Sequence, residues 1–164
     1  MKYAELVIHP LPPVFDRGSR VLILGTMPSP VSREKAFYYA HPQNRFWPVM
    51  SALFDCPLAD NDARTSFLLS HHIAMWDVLR ACRITAAADS SIRDPQPNDL
   101  RRILDVADIQ AIFTTGQTAL RYYNALCRAS TGMDAIALPS TSAANARWRL
   151  PALVDAYSVI LRYL

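Results

Sequence analysis

The sequence predicts an α/β protein: a three-layer α/β/α sandwich around a central, mostly parallel four-stranded sheet. Two observations carry this. Four short apolar runs, RVLIL, IAMWDV, AIFTT and AIAL, read as buried parallel strands. Helix-patterned segments lie between them, and strands alternating with helices give a parallel sheet with helices on both faces. The length of 164 residues and the hydrophobic content of 51% suit one compact domain, residues 1–164, with a core of its own.

The first strand, Arg20–Leu24, is closed by Gly25. Asn44 can cap a helix running to about Phe54, which carries Phe46 and Trp47 into the core from its first turn. Pro48 fits an early helical position. A helix over Asp62–Ser70 presents Phe67, Leu68 and Leu69 and leads into the second strand, Ile73–Val78. Asn98-Asp99 can cap a helix bearing Leu100, Ile103 and Leu104. The third strand, Ala111–Thr115, ends at Gly116. The helix after it, Gln117–Arg128, aligns Leu120, Tyr123 and Cys127 on one stripe. The fourth strand, Ala135–Leu138, ends at Pro139. The last helix starts near Pro151, a favoured first position, and aligns Leu153, Tyr157, Ile160 and Leu164. Pro12, Pro13, Pro95 and Pro97 are expected in connecting loops.

Composition excludes several classes. No apolar run is long enough to cross a bilayer, and the N-terminal MKYAELVIHPLPP lacks the pattern of a signal peptide. Cys56, Cys82 and Cys127 are far apart and form no CxxC pair. That argues against a disulfide framework, a zinc knuckle or an iron–sulfur cluster. The expected protein is cytoplasmic, reduced, monomeric and free of metals and other cofactors. The net charge is +3, and of 17 basic residues only Lys2 and Lys35 are lysines. Arginine grips phosphate with a bidentate fork and stacks on flat groups, so the balance is compatible with nucleic acid without requiring it.

Three strand ends carry distinctive residues: GTMPSP, TTGQT and LPSTSAAN. All three are expected on one edge of the sheet, where open α/β sheets bind ligands. GTMPSP is a sharp turn whose amides can donate to a carbonyl or a phosphate, and no GK[ST] follows to make it a P-loop. In LPSTSAAN, Ser140, Thr141, Ser142 and Asn145 suit a DNA phosphate or backbone register, or equally a turn and a cap. The stretch FYYAHPQNRFW has five aromatics in eleven residues. Tyr38 and Tyr39 fall in its loop, and a base stacked on one of them would gain about 1–3 kcal/mol. Ser29, Ser140, His71, His72 and Asp77 nominally supply a hydrolase triad, but no GxSxG elbow is present. No carboxylate has metal-ligand spacing to His71-His72.

The order GTMPS, YAHPQNRFW, LPSTSAAN resembles the uracil-DNA glycosylase superfamily over nearly the whole chain. AHPQNRFW is similar to its counterpart in the mismatch-specific uracil and thymine glycosylases. The pairing of YYAHPQNRFW with LPSTSAAN resembles more closely the hypoxanthine-DNA glycosylase branch. Met27 stands where mismatch-specific enzymes carry a catalytic Asn, and Leu138 where a His or Asn precedes Pro-Ser. Both changes fit the hypoxanthine branch, in which the Asn of an HPRN motif is implicated; that residue is Asn44. Gln43 replaces the Arg of HPRN, and Ala143 the Pro of S-P-A-N. The resemblance implies the glycosylase fold and a monofunctional enzyme that flips a deaminated base, most of all hypoxanthine, out of double-stranded DNA. It implies Asn44 as the catalytic residue, with either its NH2 on the base or its carbonyl on a water. Thr26, Met27, Ser29, Tyr39 and His41 would hold the base, with Tyr39 as stacking floor. Ser140, Thr141, Ser142 and Asn145 would grip DNA. A uracil-preferring mismatch-type glycosylase and a non-catalytic nucleic-acid- or nucleotide-binding domain of the same fold are the rival readings.

Overall fold

The computed structural model describes residues 3–164. Its centre is a four-stranded parallel sheet of β2 (Val21–Gly25), β3 (Ile73–Asp77), β6 (Ala111–Thr115) and β7 (Ala135–Leu138), in the order β3-β2-β6-β7. Every residue of β2 and β3 is buried, as strands covered on both faces must be. Register puts Gly25 opposite Asp77, and Leu24 opposite Thr114. Thr115 pairs with Leu138, so all four strands end on one edge. The chain leaves β2 first to one side, to β3, and later to the other, to β6. The strand order therefore reverses beside β2, and a crevice opens there.

Helices flank this sheet: α1 (Pro30–Lys35), α2 (Phe46–Phe54), α3 (Asn61–Ser70), α4 (Arg101–Leu104), α5 (Gln117–Leu126), α6 (Arg128–Thr131) and α7 (Leu150–Tyr157). Helix α3 packs on β3, α5 on β6 and β7, and α2 on α7. Phe46 meets Tyr157 edge-on between those last two helices, at 6.3 Å. Phe46 and Trp47 are buried as the sequence suggests.

The helix boundaries differ from expectation for local reasons. Asp60, not Asp62, begins the third helix, its carboxylate accepting the Ala63 N–H at 2.8 Å. The fifth helix breaks at Cys127, whose φ of −121° leaves helical geometry, and resumes as α6. Past Tyr157 the last helix tightens into a 3-10 turn over Ser158–Tyr163. Asn98 does not cap α4. It is buried, and its Nδ2 donates to the carbonyls of Asp77 and Leu79, clamping the corner between β3 and β4.

A second sheet lies outside the predicted plan. β1 (Glu5–Ile8), β4 (Leu79–Ile84) and β5 (Arg93–Pro97) form an antiparallel sheet in the order β1-β4-β5. Pro95 and Pro97 lie in β5, not in a loop. β5 is an edge strand, where a residue without an N–H leaves no interior ladder bond unmade. β4 follows β3 after one residue, Val78, and β1 runs into His9. The small sheet thus delivers the N-terminal segment to the carboxyl edge of the large one. No helix among the described residues is long and apolar enough to cross a membrane.

Candidate active site

A cavity of about 320 Å³ opens at the carboxyl ends of β2, β3 and β6. The turn after β2 forms one wall with Thr26, Met27 and Ser29, all half-buried. The FYYAHPQNRFW stretch forms a second with Tyr39, His41 and Asn44, and the loop after β7 forms a third with Ser140, Thr141 and Ser142. Nine of the ten sequence-predicted site residues therefore meet in one place. Asn145 does not line the cavity. It braces its own loop, Nδ2 donating to the Ser140 carbonyl at 2.9 Å.

Asn44 sits just before the start of α2. Its Oδ1 accepts the Phe46 N–H at 2.9 Å and the Thr141 hydroxyl at 2.9 Å. A backbone N–H can only donate, so the side-chain oxygen is assigned by the chemistry and the NH2 is the other end. No hydrogen bond among the described residues uses that NH2. Of the two roles open to Asn44, donor to a base or acceptor from a water, the acceptor side is already occupied.

Tyr39 adopts φ +52°, a left-handed conformation unusual for a tyrosine. That backbone lays its ring on Phe46, with centroids 4.1 Å apart and planes 12° from parallel. Its hydroxyl is 2.8 Å from the Thr115 hydroxyl. Burial, and then the charge of Asp77, hold the phenol's pKa well above its ordinary value, so it stays protonated at neutral pH. Tyr38 behaves differently. It is buried, and its hydroxyl donates to the Pro12 carbonyl at 2.7 Å, which makes it a core residue.

The Ser29 side chain is committed to α1, where its Oγ caps the Ser32 N–H at 3.2 Å. Gln43 N–H donates to His41 Nδ1 at 3.1 Å. Arg45, which sequence reasoning passed over, ties two walls together. Its guanidinium donates to the carbonyls of Thr141, Ser142, Asn145 and Trp148. It follows that Arg45 holds the loop rather than a phosphate, and the signal was its place directly after Asn44. The nominal triad does not assemble. Asp77 instead pairs with His9, 68 residues away, at 2.7 Å. Among the described residues no group of three or more His, Cys, Asp or Glu is placed to hold a metal ion.

Residues 12–162 match the family model described as Uracil DNA glycosylase superfamily. The chain belongs to the uracil DNA glycosylase superfamily. A curated relative named hypoxanthine DNA glycosylase, from Methanosarcina barkeri, is 31% identical over 139 residues, 83% of this chain and 87% of that protein. Another of the same name, from Methanosarcina acetivorans, is 32% identical over 140 residues, 84% and 87% of the two. The solution NMR structure of a candidate uracil DNA glycosylase from Methanosarcina acetivorans superposes with a TM-score of 0.74 at 26% identity, covering 96% of this chain and 99% of that one. Family and relatives agree on one enzyme class, DNA glycosylase, whose substrate is DNA.

A stacking role for Tyr39, which lines the cavity, is open to test. Tyr39→Ala should slow base release about ten- to a hundredfold, from the loss of a stacking face worth about 1–3 kcal/mol. Tyr39→Phe keeps the ring on Phe46 and should stay within severalfold of wild type. Equal losses in single-turnover release by the two variants would put the function of Tyr39 in its hydroxyl and the Thr115 contact.

Proposed function

We propose that the protein is a monofunctional DNA glycosylase that releases hypoxanthine from deoxyinosine in duplex DNA. The observation that carries this is the commitment of the Asn44 oxygen, which leaves an amide donor beside a stacked aromatic floor in a base-sized cavity. A base inside a duplex is reached only by flipping it out, at a cost of a few kcal/mol, and the cost is lowest for mispaired bases. The flipped purine would stack on Tyr39. As the C1′–N bond breaks, its electron pair leaves with the base, positive charge grows on the sugar and negative charge on the leaving ring. The Asn44 NH2 would donate to that ring. A preorganised donor aimed at developing charge contributes about 10²–10³ in rate. Water then adds to C1′ and its proton ends on the released base. Ser140 and Ser142, on the loop held by Arg45, would contact flanking phosphates.

Met27 supports the purine preference. It lines the cavity where an Asn would serve a uracil-directed attack, and a thioether cannot position water. It is flexible and polarisable, and so adapts to a two-ring base. The test is single-turnover release from matched duplexes carrying inosine, uracil or adenine. Inosine should react fastest and adenine should not react. Uracil released as fast as hypoxanthine would move the protein to a uracil-preferring enzyme. Release of no base with binding intact would make it a non-catalytic DNA-binding domain.

A further inference from the structure

A second cavity adjoins the first. It is a groove of about 540 Å³, and Tyr39, His41 and Asn44 line both. Lys35, at the end of α1, and Arg64, on α3, line the groove alone. The Asn61 side chain joins those two helices, its Nδ2 donating to the Lys35 carbonyl at 3.4 Å. Ser140, Thr141 and Ser142 line the base cavity but not the groove.

The groove is rich in groups that can only donate. Arg64 is half-buried, its guanidinium over the Trp47 ring at 5.2 Å and its Nε donating to the Leu58 carbonyl at 3.1 Å. Its two terminal nitrogens have no hydrogen-bond or ion-pair partner among the described residues, so the fork is held in place with its tips free. The exposed Lys35 ammonium likewise has no partner among them. His41 Nδ1 accepts the Gln43 N–H at 3.1 Å, which puts the proton of the neutral ring on Nε2. Asp60 also lines the groove, but its Oδ1 is committed to the Ala63 N–H at the start of α3.

A base edge mixes donors with acceptors. A phosphodiester offers acceptors only, with a full negative charge, and guanidinium and ammonium groups meet both features. We propose that Lys35, His41 and Arg64 hold a DNA backbone phosphate next to the flipped nucleotide, at a place separate from Ser140 and Ser142. The proposal rests on the glycosylase reading above for the strand it grips. Flipping rotates a nucleotide about its backbone. A strand held at the β7 loop and again across the Tyr39–Asn44 wall is fixed on both flanks of the nucleotide that rotates. Such a contact adds affinity for DNA of any sequence and makes no choice of base.

Binding tests this apart from bond cleavage. The probe is a duplex carrying 2′-fluoro-2′-deoxyinosine, whose glycosidic bond resists cleavage. Lys35→Gln removes an exposed charge without disturbing the core. It should bind more weakly than wild type, and the gap should narrow about three- to fourfold between 50 mM and 200 mM salt, as for one lost phosphate contact. Arg64→Gln should behave alike. Arg162→Gln removes a charge from a residue that lines neither cavity and should keep the wild-type salt dependence. A neutral methylphosphonate then replaces each phosphate flanking the deoxyinosine in turn. At one position the loss of affinity should be at least about threefold larger for wild type than for Lys35→Gln, because the two changes remove the same contact. Additive losses at every position, or a Lys35→Gln salt dependence equal to that of wild type, would overturn the proposal, whether or not Arg64→Gln folds. Coupling at one phosphate in a wild-type protein that released no hypoxanthine from an inosine duplex would overturn the glycosylase reading and leave the phosphate site standing. Wild-type protein that bound no duplex would overturn both.

Discussion

Asn44→Asp should slow base release by at least about two to three orders of magnitude while leaving the fold in place. Aspartate keeps an oxygen where Asn44 accepts from Phe46 N–H and the Thr141 hydroxyl, so the start of α2 and the β7 loop stay tied. It removes the NH2, the end we propose donates to the leaving base, and puts an oxygen lone pair there instead. Asn44→Ala is the less informative variant. It deletes the donor together with both structural bonds, a loss of local order worth about 0.5–2 kcal/mol at such a position. The measurement is single-turnover hypoxanthine release, with melting temperature and binding to an inosine duplex recorded for both variants. If Asn44→Asp kept near-wild-type release, the amide donor would have no part in the chemistry. If release failed only because the variant had unfolded, Asn44 would be a structural residue.

Gly25→Ala should be nearly as damaging, although it adds a single methyl group. The added Cβ would stand 2.5 Å from Asp77 Oδ1 and 3.1 Å from the Tyr39 hydroxyl. Neither neighbour is free to yield. Asp77 is pinned by His9, and Tyr39 by its stack on Phe46 and its contact with Thr115. Overpacking a filled interior costs about 1–3 kcal/mol in stability. Displacing a substrate-positioning group by about 1 Å costs on the order of a hundredfold in rate. Release should therefore fall about a hundredfold, with a measurable drop in melting temperature. Unchanged rate and stability would show that the carboxyl edge of β2 is more pliant than this geometry allows. The requirement for glycine here is one of space, because Gly25 is not among the positive-φ residues.

The parallel sheet was legible because its strands are buried on both faces. RVLIL, IAMWDV and AIFTT are short, mainly apolar runs without alternation, and their length with the glycines that close the first and third favours buried strands over helix segments. The convergence of GTMPSP, YAHPQN and LPSTS was legible for a topological reason: parallel strands all end on one edge. The antiparallel sheet was not legible. β1 exposes Leu6 and Ile8, and β5 carries two prolines, so neither strand has the pattern of a buried or alternating strand. Their partner β4 decides them by pairing, which is a long-range event. Asp77 was visible only as a member of a triad that does not form.

Local information determined the four parallel strands, most helices, the family and the neighbourhood of nine predicted site residues. Each of these follows from periodicity, turn chemistry or motifs read over a few residues. The direction of the Asn44 amide, the left-handed backbone beneath Tyr39, the grip of Arg45 on the β7 loop and the His9–Asp77 pair were decided by tertiary structure alone. The reason is that each depends on a hydrogen bond or a stack with a partner brought in by the fold. Asn44 bonds 97 residues away to Thr141, and His9 bonds 68 residues away to Asp77. A side chain with a donor end and an acceptor end can face either way, and only the neighbour supplied by the fold selects which end meets the substrate.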